Sequence, residues 1–463
     1  MPRTWLKPVI PNIDIFAIIL QFQFLKNITH RQKIARIAGQ LKERRRSGPV
    51  SFKKKAVSHR VPNPKDKRYG DEKIDLSDLN EIISIDVRQK ICIAEPGVTF
   101  VDLVKATLRF NLVPIVVPEL KTITIGGAVA GCSLESMSYK YGGFHDACLE
   151  YEVITALGKI LICTPRNKHR LLFQMVNGSF GTLGVISKLT FKLIPAQRFV
   201  HIQYQTFDNL QDYQIAIWQH YQDKDIDFMD GMIHSQREYI LCLGNFARSA
   251  PYTHNYGWTR VYFKSTQQRK EDYLKTIDYF FRYENGVTNV WPQSYLGRVF
   301  FGKIYTSTNV LRIAEKFRKI IPLKKIPVTT DLMIPFSKLP DFFEWYNKQI
   351  NFYPLWCVPY RVVRKYELLS KAFFRKSKDK LFVDIALYGM SRKNNENYYK
   401  ISEKKLMDLG GVKALLSWNY YSKKDFWKIW NKKNYNTVKR QTDPKNIFRD
   451  LYTKTCRTMM GLK

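Results

Sequence analysis

Two glycine clusters constrain this chain more than any other feature. The first spans residues 122–136 (TITIGGAVAGCSLES) and follows Pro118, Glu119 and Leu120; the second spans residues 177–184 (NGSFGTLG) and runs straight into a strand-like segment. Paired glycines after an extended stretch let backbone amides approach a diphosphate with no Cβ in the way, and hydroxyls such as Thr124 and Ser136 add donors. Each cluster alone also fits a tight turn or close strand packing. Together they say more than either does. Neither a Gly-x-Gly-x-x-Gly nor a Gly-x-x-x-x-Gly-Lys-Ser/Thr pattern is present.

The clusters sit in a tight alternation of short strands and helices. Residues 81–86 and 90–95 read as strands, and Thr99 with Asp102 caps a helix over 100–110. The β-branched run 112–117 reads as a buried strand. Further strands follow at 148–156, 159–163 and 185–193. The first folded unit is therefore α+β and spans residues 48–196. Residues 197–430 change texture, with aromatic-rich helical stretches (DYQIAIWQHYQ, KEDYLKTIDYFFRY) between strand-like runs (EYILCLG, LFVDIALYG). A second domain is the simplest account. Residues 431–463 hold a helix stopped at Asp443-Pro444 and a further helical turn.

Charge raises a separate question. The 463 residues carry a net +36, yet 45% are hydrophobic, too many for a disordered basic tail. Such an excess attracts nucleic acid, an anionic membrane or a phosphate-bearing ligand. No nucleic-acid module is readable, so no specific nucleic acid is expected. Residues 1–75 hold 18 basic against 6 acidic residues, a local +12. Within residues 1–47, Ile34, Ile37 and Leu41 form one stripe among basic residues, fitting either an interfacial helix on an anionic bilayer or a surface helix covering the core. The uncharged run 15–25 is too short to span a bilayer and lacks a cleavage site, so neither a transmembrane helix nor a signal peptide is expected. Seven scattered cysteines without a Cys-x-x-Cys pair favour a reducing compartment, hence a cytoplasmic or peripheral-membrane location, and no metal site.

Three ordered segments, VPELKTITIGGAVAGCSLESMSYKYGGFHD, YEVITALGKILICTP and LLFQMVNGSFGTLGVISKLTFKLIPA, resemble the FAD-binding domain of the p-cresol methylhydroxylase and vanillyl-alcohol oxidase superfamily. Within it the chain is most similar to the delta-24 sterol reductase branch. The resemblance implies a two-subdomain FAD-binding domain, an α+β cap domain, and carboxyl-terminal helices returning to the FAD domain. It also implies that Thr124, Ile125, Gly126, Gly127, Ala128, Gly131, Glu135 and Ser136 hold the FAD diphosphate and ribityl region. Gly181, Thr182, Gly184 and Val185 would line the adenosine and flavin side. The superfamily's amino-terminal glycine loop is replaced by KKKAVSHRVPNP, leaving His59 as the sole candidate for a covalent link; non-covalent FAD is expected. His145, after Gly142-Gly143-Phe144, reads either as a flavin neighbour or as a core histidine.

If the resemblance extends to activity, FAD reduced by NADPH or NADH passes hydride to a carbon–carbon double bond of a sterol or isoprenoid lipid, and an acid protonates the other carbon. Candidate acids are Asp384, Tyr388, Tyr420 and Tyr435, the last beside Lys439. Two alternatives stay open: a flavin dehydrogenase or oxidase of an alcohol, hydroxy acid or sugar, and a non-catalytic protein binding nucleic acid or anionic membrane. The oligomeric state is not legible.

Overall fold

The computed structural model describes residues 29–462, apart from 45–46, 60–61, 290, 321–325 and 393–395; the run 15–25 lies outside the described residues. Thr29 opens helix α1 (His30–Lys42) with a capping box to Gln32. Ile34, Ile37, Ala38 and Leu41 are buried in one cluster with Val50, Ile74, Ile154 and Val185. The aliphatic stripe of α1 thus covers the protein's own core and offers a bilayer nothing. The physical reason is area: sealing aliphatic side chains against a preformed sheet stabilises by about 2 kcal/mol each.

The first unit begins with a parallel pair, β1 (Val50–Lys53) and β2 (Glu72–Asp75). Its main sheet uses β3 (Ile82–Asp86), β4 (Ile91–Ala94), β5 (Leu112–Pro114), β6 (Cys148–Ile154), β7 (Ile160–Cys163) and β8 (Val185–Pro195). The order is β3-β4-β8-β6-β7, with β5 also paired to β8. Helix α2 (Phe100–Leu108) is capped by Thr99, as its sequence predicts, and α3 (Ile125–Gly131) carries the first glycine cluster. The run 112–117 keeps its burial but pairs only through Pro114. Pro118 supplies no N–H and turns the chain away from the sheet.

The second sheet uses β9 (Phe199–Phe207), β10 (Phe228–Ser235), β11 (Glu238–Ala247), β12 (Glu271–Lys275), β13 (Val328–Pro335), β14 (Leu355–Arg361), β15 (Leu381–Met390) and β16 (Val412–Lys413). Its order is β12-β9-β11-β10-β14-β15-β13-β16. Here the segment KEDYLKTIDYFFRY departs from the helical reading. Residues 271–275 pair with β9, and only Thr276–Phe280 is helical. Buried Asp272, which accepts from Tyr256 and lies 2.6 Å from His254 Nδ1, fixes that edge strand more strongly than helical spacing can.

Helices α4 (Leu210–Asp223), α5 (Tyr295–Phe301), α6 (Ser307–Lys316), α7 (Leu339–Gln349) and α8 (Tyr398–Leu409) belong to the second unit, and α9 (Lys432–Thr442) follows it. Tyr213 and Ile217 of α4, Phe342 and Tyr346 of α7 and Leu406 of α8 cover one face of the second sheet. The other face, including Phe228, Trp356 and Phe382, joins the core that also contains Ala94, Leu189 and Phe191 of the first sheet. Helix α9 and the chain after it pack back on the first unit: Lys439 Nζ donates to the Thr182 carbonyl at 2.8 Å, and Lys454 Nζ to the Phe180 carbonyl at 2.7 Å. All seven cysteines are free, and six are buried. No helix among the described residues is long and apolar enough to cross a membrane.

His30 fastens α1 to the first unit. Nδ1 lies 2.8 Å from Glu95 Oε1 and Nε2 lies 2.8 Å from Glu152 Oε1. Hydrogen bonds to Glu152 and then Glu95 raise the imidazole from 6.5 to about 9. Burial opposes ionisation of Glu152, but hydrogen bonds from His30 and Ser187 outweigh it and hold the carboxyl at about 2. A histidine raised in the fold stabilises fully below pH 6.5 and stops doing so as pH rises through about 9; the lowered carboxyl stabilises above pH 4.5 and fails as pH falls through about 2. His30→Ala should therefore cost about 1–2 kcal/mol near pH ~6. In thermal unfolding the gap to the wild type should close as pH rises past about 9.

Candidate active site

The two glycine clusters meet. Gly178 N donates to the Val129 carbonyl and Phe180 N to the Ala130 carbonyl, each at 3.1 Å, so the second cluster is hydrogen-bonded onto the end of α3. Gly178 has φ +72°, a conformation that side chains rarely adopt, and this favours glycine there; a Cβ would also press on Leu368 Cδ2 at 2.7 Å. At the start of α3 the amides of Ile125 and Gly126 donate to the carbonyls of Val98 and Pro96, and Gly127 N donates to Thr124 Oγ1. A Cβ on Gly126 would strike Pro96 at 2.5 Å, whereas one on Gly127 would meet only Thr124 Oγ1, at 3.1 Å. Gly126 therefore serves packing. Gly127 leaves open space beside the helix, with Gly131 one turn further along.

Beyond α3 lies a cavity of about 640 Å³. The first unit contributes Gly131, Cys132, Asn177 and Phe180; the second contributes Met333, Tyr360, Phe382 and Leu415. Its wall is mostly apolar. Four of its buried polar atoms, His145 Nδ1, Gln174 Oε1, Ser377 Oγ and Arg364 Nε, have no hydrogen-bond partner among the described residues, although Arg364 Nε lies 3.0 Å from Asp146 Oδ1 in an ion pair. Unmet groups of this kind in a concave wall mark a place built for a ligand.

The second sheet carries acids on the face that also holds the cavity residues Met333 and Phe382. Asp384 stands opposite Met333, and Asp331 opposite Ala386, so pleating places both carboxyls on one face of β13 and β15. Tyr388, on that face too, donates its hydroxyl to Asp331. Burial, then the charges of Asp331 and Glu119, push Asp384 well above the usual carboxyl range, and its Oδ1 has no partner among the described residues. Glu119, from the loop before the first glycine cluster, is raised to about 8 by burial and by the charges of Glu135, Asp331 and Glu284. Like charges crowded in a poorly solvated place cannot all ionise, so protons are stored there at neutral pH.

Residues 59–164 match the FAD binding domain family. The chain carries an FAD-binding domain. Over 93% of its length it is 24% identical to a delta(24)-sterol reductase homologue of Caenorhabditis elegans, covering 88% of that protein. It is also 24% identical to the delta(24)-sterol reductase of Homo sapiens over 92% of this chain and 86% of the relative. The Pisum sativum delta(24)-sterol reductase is 27% identical over 78% of this chain and 71% of that protein. With its α+β architecture, the chain is a flavoprotein oxidoreductase dependent on FAD.

The FAD domain fits its cofactor on the structure's own terms: an open glycine flank, a cavity between the two sheets and unmet polar atoms in its wall. The remaining residues of the sequence reading occupy distinct places. Ala128 is buried on the inner side of α3, while Gly181, Thr182 and Gly184 form the turn into β8, which Val185 opens. His145 lines the cavity, with burial lowering its pKa. His59 Nε2 lies 3.1 Å from Thr122 Oγ1, and burial, then Lys54, lower its imidazole to about 4. Asp384 and Tyr388 come together. Tyr420 instead lies against Tyr399 beside the α8 side of the sheet, and Tyr435 accepts from the Leu451 amide beneath α9. Glu119 and Asp331 were not among the candidate acids, although Glu119 lies in the Pro-Glu-Leu ahead of the first glycine cluster.

Glu135 and Ser136 join the FAD domain to the second sheet. Arg282 NH1 lies 3.0 Å from Glu135 Oε1, and NH2 lies 3.0 Å from Asp230 Oδ2. Tyr283 and Trp356 donate to the same Asp230 oxygen at 2.7 and 2.8 Å. The guanidinium also lies 4.0 Å from the Tyr279 ring centroid and 4.6 Å from that of Tyr283. Removing the cation would strand two buried carboxyls, so Arg282→Met should destabilise the protein by about 3–5 kcal/mol in denaturant unfolding. Gly127→Asp should fold normally but purify with most of its FAD lost; retained flavin would reject the glycine flank as the cofactor's seat.

Proposed function

We propose that this chain reduces a carbon–carbon double bond of a sterol or related isoprenoid lipid, with FAD as carrier and NADPH or NADH as electron donor. The observation that carries the reading is Asp384, a buried carboxyl with one unpartnered oxygen, kept protonated on the strand face that also presents Phe382 to the cofactor cavity. The similarity to delta(24)-sterol reductases along most of the chain supports the substrate class. Residues Thr124, Ile125, Gly126, Gly127, Ala128, Gly131, Glu135 and Ser136, with the turn Gly181, Thr182, Gly184 and Val185, enclose the cofactor. Gly127 and Gly131 give it the open flank. His59, neutral and next to Thr122, forms no covalent link.

Bound FAD supplies the hydride. An isolated alkene accepts hydride poorly unless a proton reaches its other carbon, so the chain must hold an acid away from water. Burial raises Asp331 as well, but the Tyr388 hydroxyl and the charge of Lys413 oppose that rise, so Asp331 takes the negative charge of the cluster. Burial, reinforced by that charge, keeps Asp384 protonated, and Asp384 donates its proton to the substrate. Glu119 holds a second proton at the loop edge and restores the first. Phe180, Leu368, Phe373, Phe382 and Trp430 line the cavity with apolar surface suited to a fused-ring or isoprenoid body.

Asp384→Asn should retain FAD and bleaching by NADPH, while reduction of a Δ24-unsaturated sterol falls by about 10²–10⁴-fold. Wild-type turnover should decline as pH rises through the ionisation of Glu119 at about 8, since the acid form is the active one. Unchanged sterol reduction by Asp384→Asn would remove the acid assignment. Bleaching only by an alcohol, hydroxy acid or sugar would replace the reductase reading with a dehydrogenase.

A further inference from the structure

Helices α5 and α6 are built inside out. In α5, Arg298 is the buried residue, its Nε donating to the Trp258 carbonyl at 2.8 Å, while Leu296 and Phe300 stand 69% and 71% exposed. Ile304 continues that stripe at the same spacing of four. In α6, Thr308 is buried, while Val310, Ile313 and Phe317 are exposed at helical spacing and Ile320, 76% exposed, extends the row. Arranging polar groups inward and large apolar groups outward over two successive helices forgoes the burial that a surface helix in water normally obtains. Ring contacts from Trp291 to Tyr305 and from Tyr305 to Phe301 tie the segment into one surface.

Charge selects the occupant. Residues 291–320 contain six Lys or Arg and one acidic residue, Glu315, which accepts from Tyr69 at 3.0 Å. Lys303, Arg312, Lys316 and Lys319 are exposed around the apolar stripes. Aromatic and aliphatic side chains rimmed by cations match an anionic lipid surface, where rings enter the headgroup boundary and cations meet phosphates. We propose that α5 and α6 form the face by which this protein docks on an anionic bilayer. The stripe of α1 is sealed in the core and takes no part in this contact.

Its position matters too. Thr308 Oγ1 lies 3.2 Å from Thr122 Oγ1, Ser307 N donates to the Glu284 carbonyl at 2.8 Å, and Lys121 N donates to the Glu284 carboxylate at 2.9 Å. The amino-terminal end of α6 therefore touches the loop that carries Glu119, so a lipid leaving the bilayer at this face arrives beside the acid cluster. That delivery rests on the sterol reading; the docking face does not.

The test is co-flotation of the full chain with phosphatidylcholine vesicles containing about 30% phosphatidylserine. Wild type should float, and Phe300→Glu with Phe317→Glu should weaken binding at least about tenfold while FAD content stays unchanged. The charge-matched control, Ile83→Glu with Ile160→Glu on the FAD domain, should float like wild type. Three outcomes would overturn the proposal: no flotation of wild type, equal flotation of the α5/α6 variant, or a wild-type dimer dissolved by that variant without vesicle binding, which would make the face a contact between two copies. None depends on turnover, so a failed reductase assay and a failed docking assay are separately readable.

Discussion

The Arg282 guanidinium, enclosed by aromatic rings and shared between Glu135 and Asp230, is the interaction on which the remaining architecture depends. Glu135 closes the first glycine cluster; Asp230 stands on the second sheet. One buried cation thus fixes how the sheet that carries the acids lies over the helix that carries the glycines. An ion pair of this kind adds little stability beyond a well-packed apolar alternative, but no apolar alternative would hold two carboxylates at a set distance. Placement of Asp384 and Asp331 relative to Gly127 follows from it. The cavity between the sheets is the space left by that arrangement.

The acid cluster illustrates the same economy. Burial alone would raise any of the three carboxyls, but the charge of Asp331 on both Glu119 and Asp384, and that of Glu119 on Asp384, add to it, so the proton inventory depends on the sheet and the Pro-Glu-Leu loop staying together. A small share of the chain's large positive charge belongs to this site: Arg364, Lys365, Lys378, Lys380 and Lys413 stand in an otherwise mostly apolar cavity wall. Other basic residues rim α5 and α6, far along the chain from the amino-terminal segment where their density first suggests a membrane contact.

Much of this was legible in the sequence where local chemistry decides. The capped helix after Thr99 and the strand after the second glycine cluster follow from residue type and spacing; spacing also shows the stripe of α1 but leaves open whether a bilayer or the core receives it. The resemblance to the flavin superfamily also located the cofactor domain. What local pattern could not reveal was pairing across distance. Residues 271–275 look helical because their apolar spacing suits a helix, yet β9 and the partners of Asp272 draw them into an edge strand. Asp331 and Glu119 become notable only when strand register and loop packing bring them to Asp384, and the outward Phe300 and Phe317 mean little until Arg298 is seen to point in. The Gly-Gly pair divides its labour in a manner only the fold displays, one glycine for Pro96 and the other for open space.

The claim beneath all of this is that a non-covalent flavin sits between the glycine flank and the acid-bearing sheet and passes electrons to a lipid alkene. Anaerobic absorbance of the purified protein tests it most directly. The account predicts flavin bands that NADPH or NADH bleaches, that return when a Δ24-unsaturated sterol is added, and that pass wholly into the supernatant after acid precipitation. A colourless protein, flavin that stays with the precipitate, or bleached flavin that the sterol leaves reduced would contradict it.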